Sequence, residues 1–238
     1  MTRISLVDGV RPHSVTPVSV PAMTTRDVLW SDMAPAYDAV LAHPFLTGLT
    51  DGTLPREAFR HYLVQDAHYL RGYAKALAAC AVKAPDEDTT LLFALHSTNA
   101  IAAERDLHAA LLGELGGAGD EPAAPTTTAY VSYLMATALG GSFAEALGAV
   151  LPCYWIYARV GAHLLAAGSP DPLFARWVAV YGGEDFQSVV DAVLEVVDRV
   201  GAGLSEGELA RMRGRATTAS RYEWMFWDAA WRRERWPV

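Results

Sequence analysis

The chain has 238 residues, with 19 Lys and Arg against 27 Asp and Glu, which gives a formal net charge of −8 at pH 7. This acidic balance argues against binding to nucleic acid or to an anionic membrane, because both depend on clustered positive charge. Hydrophobic residues make up 52% of the chain and charged residues 19%, so the composition excludes disorder for most of it.

The cysteines and the N-terminal segment bear on the cellular compartment. Cys80 and Cys153 lie far apart and form no CxxC pair, which argues against a disulfide framework and against a zinc knuckle. Residues 1–23 carry Asp8, Arg11 and several prolines where a signal peptide requires an unbroken apolar run. No unbroken segment supplies the roughly 20 apolar residues that a membrane helix needs. We therefore expect a soluble, cytoplasmic protein.

The pattern along the chain predicts an arm followed by one helical domain. Residues 1–23 are rich in Pro, Val, Ser and Thr without helical periodicity, which is typical of a flexible arm. Residues 24–238 show helical periodicity almost throughout and predict a single all-helical domain. Helices are predicted at 25–42, 55–82, 85–116, 126–140, 142–167, 171–180, 183–200 and from 205 onward.

Local signals place several of the helix ends. Ser142 with Glu145, and Ser205 with Glu208, have the S-x-x-E pattern of a capping box. The segment HPFLTGLTDGT at 43–53 is rich in turn residues and predicts a connector. Strand-like alternation of β-branched residues is absent from the sequence, so we predict an all-α bundle of about seven or eight helices.

Three predicted helices each place an ionisable side chain among large aromatic residues. Spacings of three or four positions put side chains on one helix face. The three faces consist of Asp66 with Tyr69 and Tyr73, Cys153 with Tyr157, and Glu223 with Phe226 and Trp227. A buried carboxylate is costly unless it is hydrogen-bonded or belongs to a functional site.

Each of these residues also has a structural interpretation. Asp66 is compatible with a helix-surface acid, and Cys153 with a small buried hydrophobe. Glu223 is compatible with an ion pair to Arg215 or Arg221.

Pro152 distinguishes the context of Cys153 from that of Cys80. A proline inside a helix removes one backbone hydrogen bond and crowds the carbonyl four residues earlier, so we expect the helix to be interrupted and kinked there. Such a kink turns the next side chain, Cys153, toward a cavity. Cys80 lies in the plain apolar run ALAACAVKA and is predicted to be part of the core.

Together these segments resemble the thiaminase II (TenA) family, and specifically its cysteine-containing branch. The resemblance spans about residues 24–235, and the combination of LPCYWIY, YGGEDF and a late YExxFW is highly specific. The segments that carry it are HPFLTGLTDGTLPREAF (43–59), YLVQDAHYL (62–70), SFAEALGAVLPCYWIY (142–157), WVAVYGGEDF (177–186) and YEWMFWDAAW (222–231).

The resemblance implies a heme-oxygenase-like helical fold, usually a homotetramer, that hydrolyses aminopyrimidines and thiamin for thiamin salvage. It implies a small-molecule aminopyrimidine or thiamin as partner, and no metal or other cofactor. It assigns catalytic roles to Cys153 as nucleophile, Glu223 as proton donor and Tyr69 as support for the cysteine. The residues that it assigns to substrate binding are Asp66, Tyr130, Tyr157, Tyr181 and Phe226.

Two other functions stay open at the level of sequence. Glu104 and His108 have the i,i+4 spacing of two metal ligands on one helix, as in a di-iron oxidase. The later helices offer no histidine near Tyr181 or Glu223, so we interpret this pair as structural. A non-catalytic pyrimidine-binding or regulatory protein would need only Asp66 and the aromatic residues. The presence of a nucleophile together with an acid favours an enzyme.

Overall fold

The protein is helical throughout the part of the chain that the computed structural model describes, which comprises residues 23–103, 109–117 and 121–238. These ranges contain ten helices and no strand, which confirms the predicted all-α class. The helices are α1 (Thr25–Leu41), α2 (Pro44–Asp51), α3 (Arg56–Lys83), α4 (Glu87–Ala103), α5 (Ala109–Glu114), α6 (Pro125–Gly140), α7 (Phe143–Ala167), α8 (Pro172–Gly182), α9 (Glu184–Gly201) and α10 (Glu206–Arg232).

The predicted capping boxes begin the two helices that carry Cys153 and Glu223. The Ser142 side chain accepts a hydrogen bond from the backbone N–H of Glu145, whose carboxylate accepts from the Ser142 N–H, and α7 begins there. Ser205 and Glu208 make the same reciprocal pair at the start of α10. Local sequence therefore fixes the first turn of both helices.

The predicted connector at 43–53 forms the short helix α2 instead. The Nδ1 atom of His43 accepts a hydrogen bond from the Phe45 N–H at 3.1 Å, and Pro44 occupies the first turn, where it loses no helical hydrogen bond. Gly52 ends the helix in the left-handed conformation, with φ of 78°. Residue types that usually form turns therefore act as helix caps here. Because α2 and α5 are separate helices, the described residues contain ten helices instead of the seven or eight expected.

The helix α7 runs through Pro152 without a break. It is continuous from Phe143 to Ala167, so the predicted interruption is wrong. Proline does remove the hydrogen bond to the carbonyl of Gly148. Packing of α7 against α3, α6, α8, α9 and α10 stabilises the helix in spite of that loss.

Two glycines of α7 allow the backbones of α8 and α10 to approach it closely. A Cβ atom on Gly148 would collide with the carbonyl oxygen of Met212 in α10, and one on Gly161 would collide with the carbonyl oxygen of Tyr181 in α8. Both neighbouring helices can therefore lie directly against the helix that carries Cys153.

The interior between α3, α6, α7, α8 and α10 is filled largely with aromatic side chains. Across the described core as a whole, the largest fully buried aromatic side chains are Trp177, Trp227, Tyr62, Tyr130, Phe45, Phe59, Phe93 and Phe174. None of the described helices is both long and apolar enough to cross a membrane. The predicted arm lies, apart from its last residue, outside the described residues.

Candidate active site

Asp66, Cys153 and Glu223 come together in the interior of the bundle from α3, α7 and α10. Asp66 and Glu223 are 2% and 1% exposed. The charges of both carboxyl groups raise the pKa of the Cys153 thiol, and the charge of Asp66 also raises the pKa of Glu223. Asp66 is therefore not a helix-surface acid, and the three groups share one site.

Glu223 is a buried carboxyl group that holds its proton at neutral pH. Burial and the charge of Asp66 raise its pKa to about 8, although the hydrogen bond from Tyr130 opposes that rise. The Tyr130 hydroxyl donates to Oε1 of Glu223 at 2.5 Å. The alternative ion pair with Arg215 is not formed, because Arg215 binds Glu145 at 3.0 Å. A protonated carboxyl group in this position can act as a general acid.

Cys153 rests as a neutral thiol. Its residue surface is only partly buried, but its sulfur is surrounded by protein, and this desolvation is the largest cause that raises the thiol pKa well above its ordinary value. The nearby Tyr69 and Tyr73 hydroxyls, which can donate toward the sulfur, lower the pKa without reversing the shift. The Tyr69 hydroxyl itself makes no well-formed hydrogen bond within the described structure. Attack by the sulfur therefore requires a group that accepts the thiol proton.

Cys80 has a different environment, as the sequence predicts. It is fully buried in the apolar core, and desolvation raises the pKa of its thiol to about 12. Cys80 and Cys153 are both free cysteines. Such an apolar environment makes Cys80 unreactive.

A wall of aromatic rings faces Asp66, and we call it the aromatic wall. Tyr157 lies at the middle of it, with its ring centroid 5.4 Å from that of Tyr181 and 5.3 Å from that of Trp227. The charge of Asp66 raises the pKa of Tyr157 and of Tyr181, so the carboxylate faces this wall. The members of the aromatic wall are Tyr62, Tyr157, Trp177, Tyr181 and Trp227. Flat rings beside a carboxylate suit a planar heterocycle with a polar edge.

Tyr69 connects the two remaining predicted residues to the site. Its ring centroid lies 5.0 Å from that of Tyr130 and 5.6 Å from that of Phe226. Phe226 is 3% exposed and also contacts the ring of Tyr62 at 5.9 Å. All eight residues singled out from the sequence therefore lie around one site, and their chemical roles stay predictions.

Four residues of the site have no role in the sequence prediction. Tyr62 belongs to the aromatic wall and lies four positions before Asp66, so helical spacing from that carboxylate would have found it. Trp177 lies four positions before Tyr181 in the same way. Tyr73 lies near the sulfur of Cys153, and Trp227 belongs to the aromatic wall. The sequence places both on helix faces that carry predicted site residues, but it gives neither of them a role.

The structure supplies no metal-binding cluster within the residues that it describes. No group of three or more His, Cys, Asp and Glu side chains in those ranges is arranged to hold a metal ion. Glu104 and His108, the pair considered for a di-iron centre, lie outside the described residues.

Comparison with known proteins assigns the chain to a family. A model of the TENA/THI-4/PQQC family matches residues 30–233. The chain belongs to this family. It is similar to an aminopyrimidine aminohydrolase of Bacillus subtilis (strain 168), with 35% identity over 204 residues that cover 84% of this chain and 86% of that protein.

Solved structures agree with this membership of the TENA/THI-4/PQQC family. A TenA homologue protein from P. horikoshii OT3 is 28% identical, and the match covers 88% of this chain and 99% of that one with a TM-score of 0.80. A domain with a heme oxygenase-like fold from Shewanella denitrificans OS217 is 15% identical, covers 87% of this chain and 91% of that one, and has a TM-score of 0.69. The helical bundle therefore has the heme-oxygenase-like fold.

The raised pKa of Glu223 makes stability depend on pH in this TENA/THI-4/PQQC family member. The folded protein binds the Glu223 proton more tightly than the unfolded chain does, because its pKa rises from 4.5 to about 8 on folding. The contribution of Glu223 to stability is complete below pH 4.5 and is lost as the pH rises toward 8.

We expect Glu223→Gln to abolish this pH dependence. The free energy of unfolding of the wild type should fall by a few kcal/mol relative to that of the variant between those two pH values. Urea unfolding of both proteins at a series of pH values measures the difference. Parallel stability curves would show that the Glu223 carboxyl does not hold its proton in the folded state.

Proposed function

We propose that the protein is an aminopyrimidine aminohydrolase, or thiaminase II, which replaces the amine on the exocyclic methylene of an aminopyrimidine by hydroxide from water. Thiamin is the second expected substrate, and thiamin salvage the expected role. The observation that carries the proposal is a neutral Cys153 thiol next to a protonated Glu223 carboxyl, with Asp66 facing a wall of aromatic rings. The name of the B. subtilis relative supports a hydrolase that acts on a C–N bond.

Asp66 holds the polar edge of the pyrimidine in this proposal. Its carboxylate binds the amino group and the adjacent ring nitrogen while the ring lies against Tyr157 and Tyr181. The complex takes up one proton from solvent when the pyrimidine binds, and Asp66 and the ring nitrogen share it. As sulfur adds to the ring, this proton neutralises the negative charge that develops on the nitrogen. The contact therefore strengthens toward the transition state.

Cys153 supplies the electrons that expel the leaving group. Its sulfur adds to a carbon of the pyrimidine ring, and the electron pair moves through the ring to break the bond between the methylene and the amine. Water then adds to the methylene, and the sulfur leaves the ring with its electron pair. Covalent catalysis divides one difficult substitution into two easier steps.

Glu223 donates a proton to the departing amine. Its carboxyl is protonated near neutral pH, and the bond from the Tyr130 hydroxyl fixes its orientation. General acid catalysis of this kind contributes about 10²–10⁴ in rate. Glu223 recovers a proton from the water that adds to the methylene.

A coupled assay of ammonia release tests this function. The purified protein should release ammonia from the aminomethylpyrimidine and form the hydroxymethylpyrimidine in equal amounts. Product binding without ammonia release would instead indicate a non-catalytic pyrimidine-binding protein. Activity in proportion to bound iron would indicate the di-iron alternative.

We expect Asp66→Asn to impair catalysis more than binding. An amide keeps the size and part of the hydrogen bonding, but it cannot share a proton with the ring nitrogen. Product affinity should fall by about tenfold and kcat by about a hundredfold or more, because the interaction is strongest in the transition state. Calorimetric titration with the product, together with steady-state kinetics, separates these effects. Unchanged affinity and unchanged kcat would place Asp66 outside the site.

We also propose the finer features that the resemblance implies for the whole chain. Residues 24–238 form a single catalytic domain, preceded by the arm at residues 1–23. The enzyme assembles as a homotetramer in the cytoplasm. Light scattering of the purified full-length protein tests the assembly.

A further inference from the structure

A group of buried polar side chains lies beside Cys153, and the hydrolytic steps above leave it unused. His96 on α4 lies 3.0 Å through its Nδ1 atom from the hydroxyl oxygen of Tyr154 on α7. His96 is 8% exposed and Tyr154 is 5% exposed. A polar pair buried between helices is costly to maintain unless its hydrogen bonds are satisfied, and here each group satisfies the other.

Tyr73 on α3 connects this pair to the cysteine. The ring centroids of Tyr73 and Tyr154 lie 5.8 Å apart, and the Tyr73 hydroxyl is close enough to lower the pKa of Tyr154. The same hydroxyl lies near enough to Cys153 to lower the pKa of its thiol. It also donates to the carbonyl oxygen of Val150 at 2.9 Å, which anchors it to the helix of the cysteine. We call Tyr73, Tyr154 and His96 the tyrosine relay.

The chemistry of Cys153 needs a proton acceptor that the other site residues do not supply. Its thiol is neutral at rest, because burial raises its pKa. Glu223 already carries a proton and serves as the acid. Asp66 already shares a proton with the pyrimidine ring nitrogen in the proposed mechanism, so it has no capacity for the thiol proton. The base for the thiol therefore has to lie elsewhere.

His96 has the properties of that base. Burial lowers the pKa of His96, so its imidazole is neutral near pH 7 and can accept a proton. No charged side chain in the described structure contributes to that lowering. The groups that act on Cys153 are the Asp66 and Glu223 carboxyls and the Tyr69 and Tyr73 hydroxyls.

We propose that His96 acts through Tyr154 and Tyr73 to accept the proton of the Cys153 thiol during attack on the substrate. The proposal rests on the proposed role of Cys153 as nucleophile. His96 does not touch the substrate, and it is a positioning and proton-accepting residue for the nucleophile.

The transfer balances atom by atom. The Cys153 proton moves to the Tyr73 oxygen, and the Tyr73 hydroxyl turns from the Val150 carbonyl and passes its own proton to the Tyr154 oxygen. Tyr154 passes its proton to Nδ1 of His96, which becomes an imidazolium ion. The sulfur keeps its electron pair and forms the bond to the ring carbon. When the sulfur leaves the ring as a thiolate, the same steps in reverse return the proton to it.

Alkylation of Cys153 by iodoacetamide tests the relay without any need for turnover. The protein carries Cys80→Ser, so that Cys153 is the only thiol that reacts. In this background we expect His96→Gln and Tyr154→Phe each to slow alkylation at pH 7 by tenfold or more. The glutamine can still hydrogen-bond to Tyr154, but it cannot accept the proton. As the pH rises, hydroxide replaces His96 as acceptor, so the rates of the variants should approach that of the parent.

His61→Gln is the matched control. His61 is as buried as His96, at 8% exposure, and its pKa is also lowered by burial. The charged groups that act on it are Arg233, Glu234, Arg235 and Glu121, none of which belongs to the tyrosine relay. We expect its alkylation rate to equal that of the parent. Circular dichroism establishes that each variant is folded. If His96→Gln is unstable, Tyr154→Phe still tests the relay, because it removes only one oxygen atom.

The outcomes separate this proposal from the proposed function. Equal alkylation rates in the parent, His96→Gln and Tyr154→Phe across the pH series would overturn the relay while leaving the hydrolase proposal intact. Slower alkylation in the two relay variants supports the relay. If Cys153→Ser retained full hydrolysis together with such slowing, the covalent mechanism would fail, and the relay would describe only the reactivity of the thiol.

Discussion

Cys153→Ser should lose aminopyrimidine hydrolysis by about a thousandfold or more, because a serine hydroxyl is a far weaker nucleophile than a thiolate toward an aromatic ring. The substitution exchanges sulfur for oxygen and leaves Asp66 and the aromatic wall in place. Binding of the pyrimidine product should therefore survive. Steady-state rates from the ammonia-release assay and calorimetric titration with the product measure the two effects separately.

Cys80→Ser is the control for this prediction. Cys80 lies in the apolar core, away from the site, so this variant should turn over at a rate close to that of the wild type. Both variants replace one sulfur atom by oxygen, so a difference in their rates shows that the position of the cysteine matters and not the chemical change itself. A fully active Cys153→Ser enzyme would remove the covalent mechanism.

Glu223→Gln should change the preference of the enzyme between its two expected substrates. An amine leaves poorly unless it is protonated, whereas the thiazolium of thiamin departs as a neutral thiazole and needs no proton. The variant should therefore hydrolyse the aminopyrimidine at least about tenfold more slowly relative to thiamin, which corresponds to roughly 1.4 kcal/mol of differential barrier. The ratio of kcat/KM values for the two substrates measures the change.

Comparison within one variant removes the effect of any folding defect. Loss of active protein affects both substrates alike and cancels in the ratio. The glutamine keeps an oxygen that can accept the hydrogen bond from Tyr130, so packing around position 223 should be retained. Loss of activity by the same factor for both substrates would assign Glu223 to a step that the two reactions share, and the role of proton donor would then be withdrawn.

Local signals in the sequence predicted most of the helices, because capping and periodicity act over a few residues. The boxes at Ser142 and Ser205 begin α7 and α10 as expected. The sequence predicts a connector where α2 forms, because the same residue types serve turns and helix caps. Pro44 and Gly52 can occur in a loop or at the two ends of a helix. Here they lie at the ends of a helix, because Phe45 between them is fully buried in the core and its packing stabilises α2.

The candidate site was predictable one helix face at a time. Spacing along α3 and α10 showed that Asp66 and Glu223 lie among aromatic residues, and the resemblance joined those faces into one site. The contacts between helices were beyond local reasoning. The bond from Tyr130 to Glu223 joins residues 93 positions apart, and the contact between His96 and Tyr154 spans 58 positions. Such pairs depend on how helices pack, which no local pattern encodes.

The source of the oxygen atom in the product tests most directly whether the substrate loses its amine by hydrolysis. The reaction is run with the aminomethylpyrimidine in water enriched in the heavy oxygen isotope, under ordinary dioxygen. Mass spectrometry should find the heavy isotope in the hydroxymethyl group, with one ammonia released for each alcohol formed. A product whose oxygen comes from dioxygen, or whose formation stops when dioxygen is removed, would contradict hydrolysis and would favour an oxidase on the same scaffold.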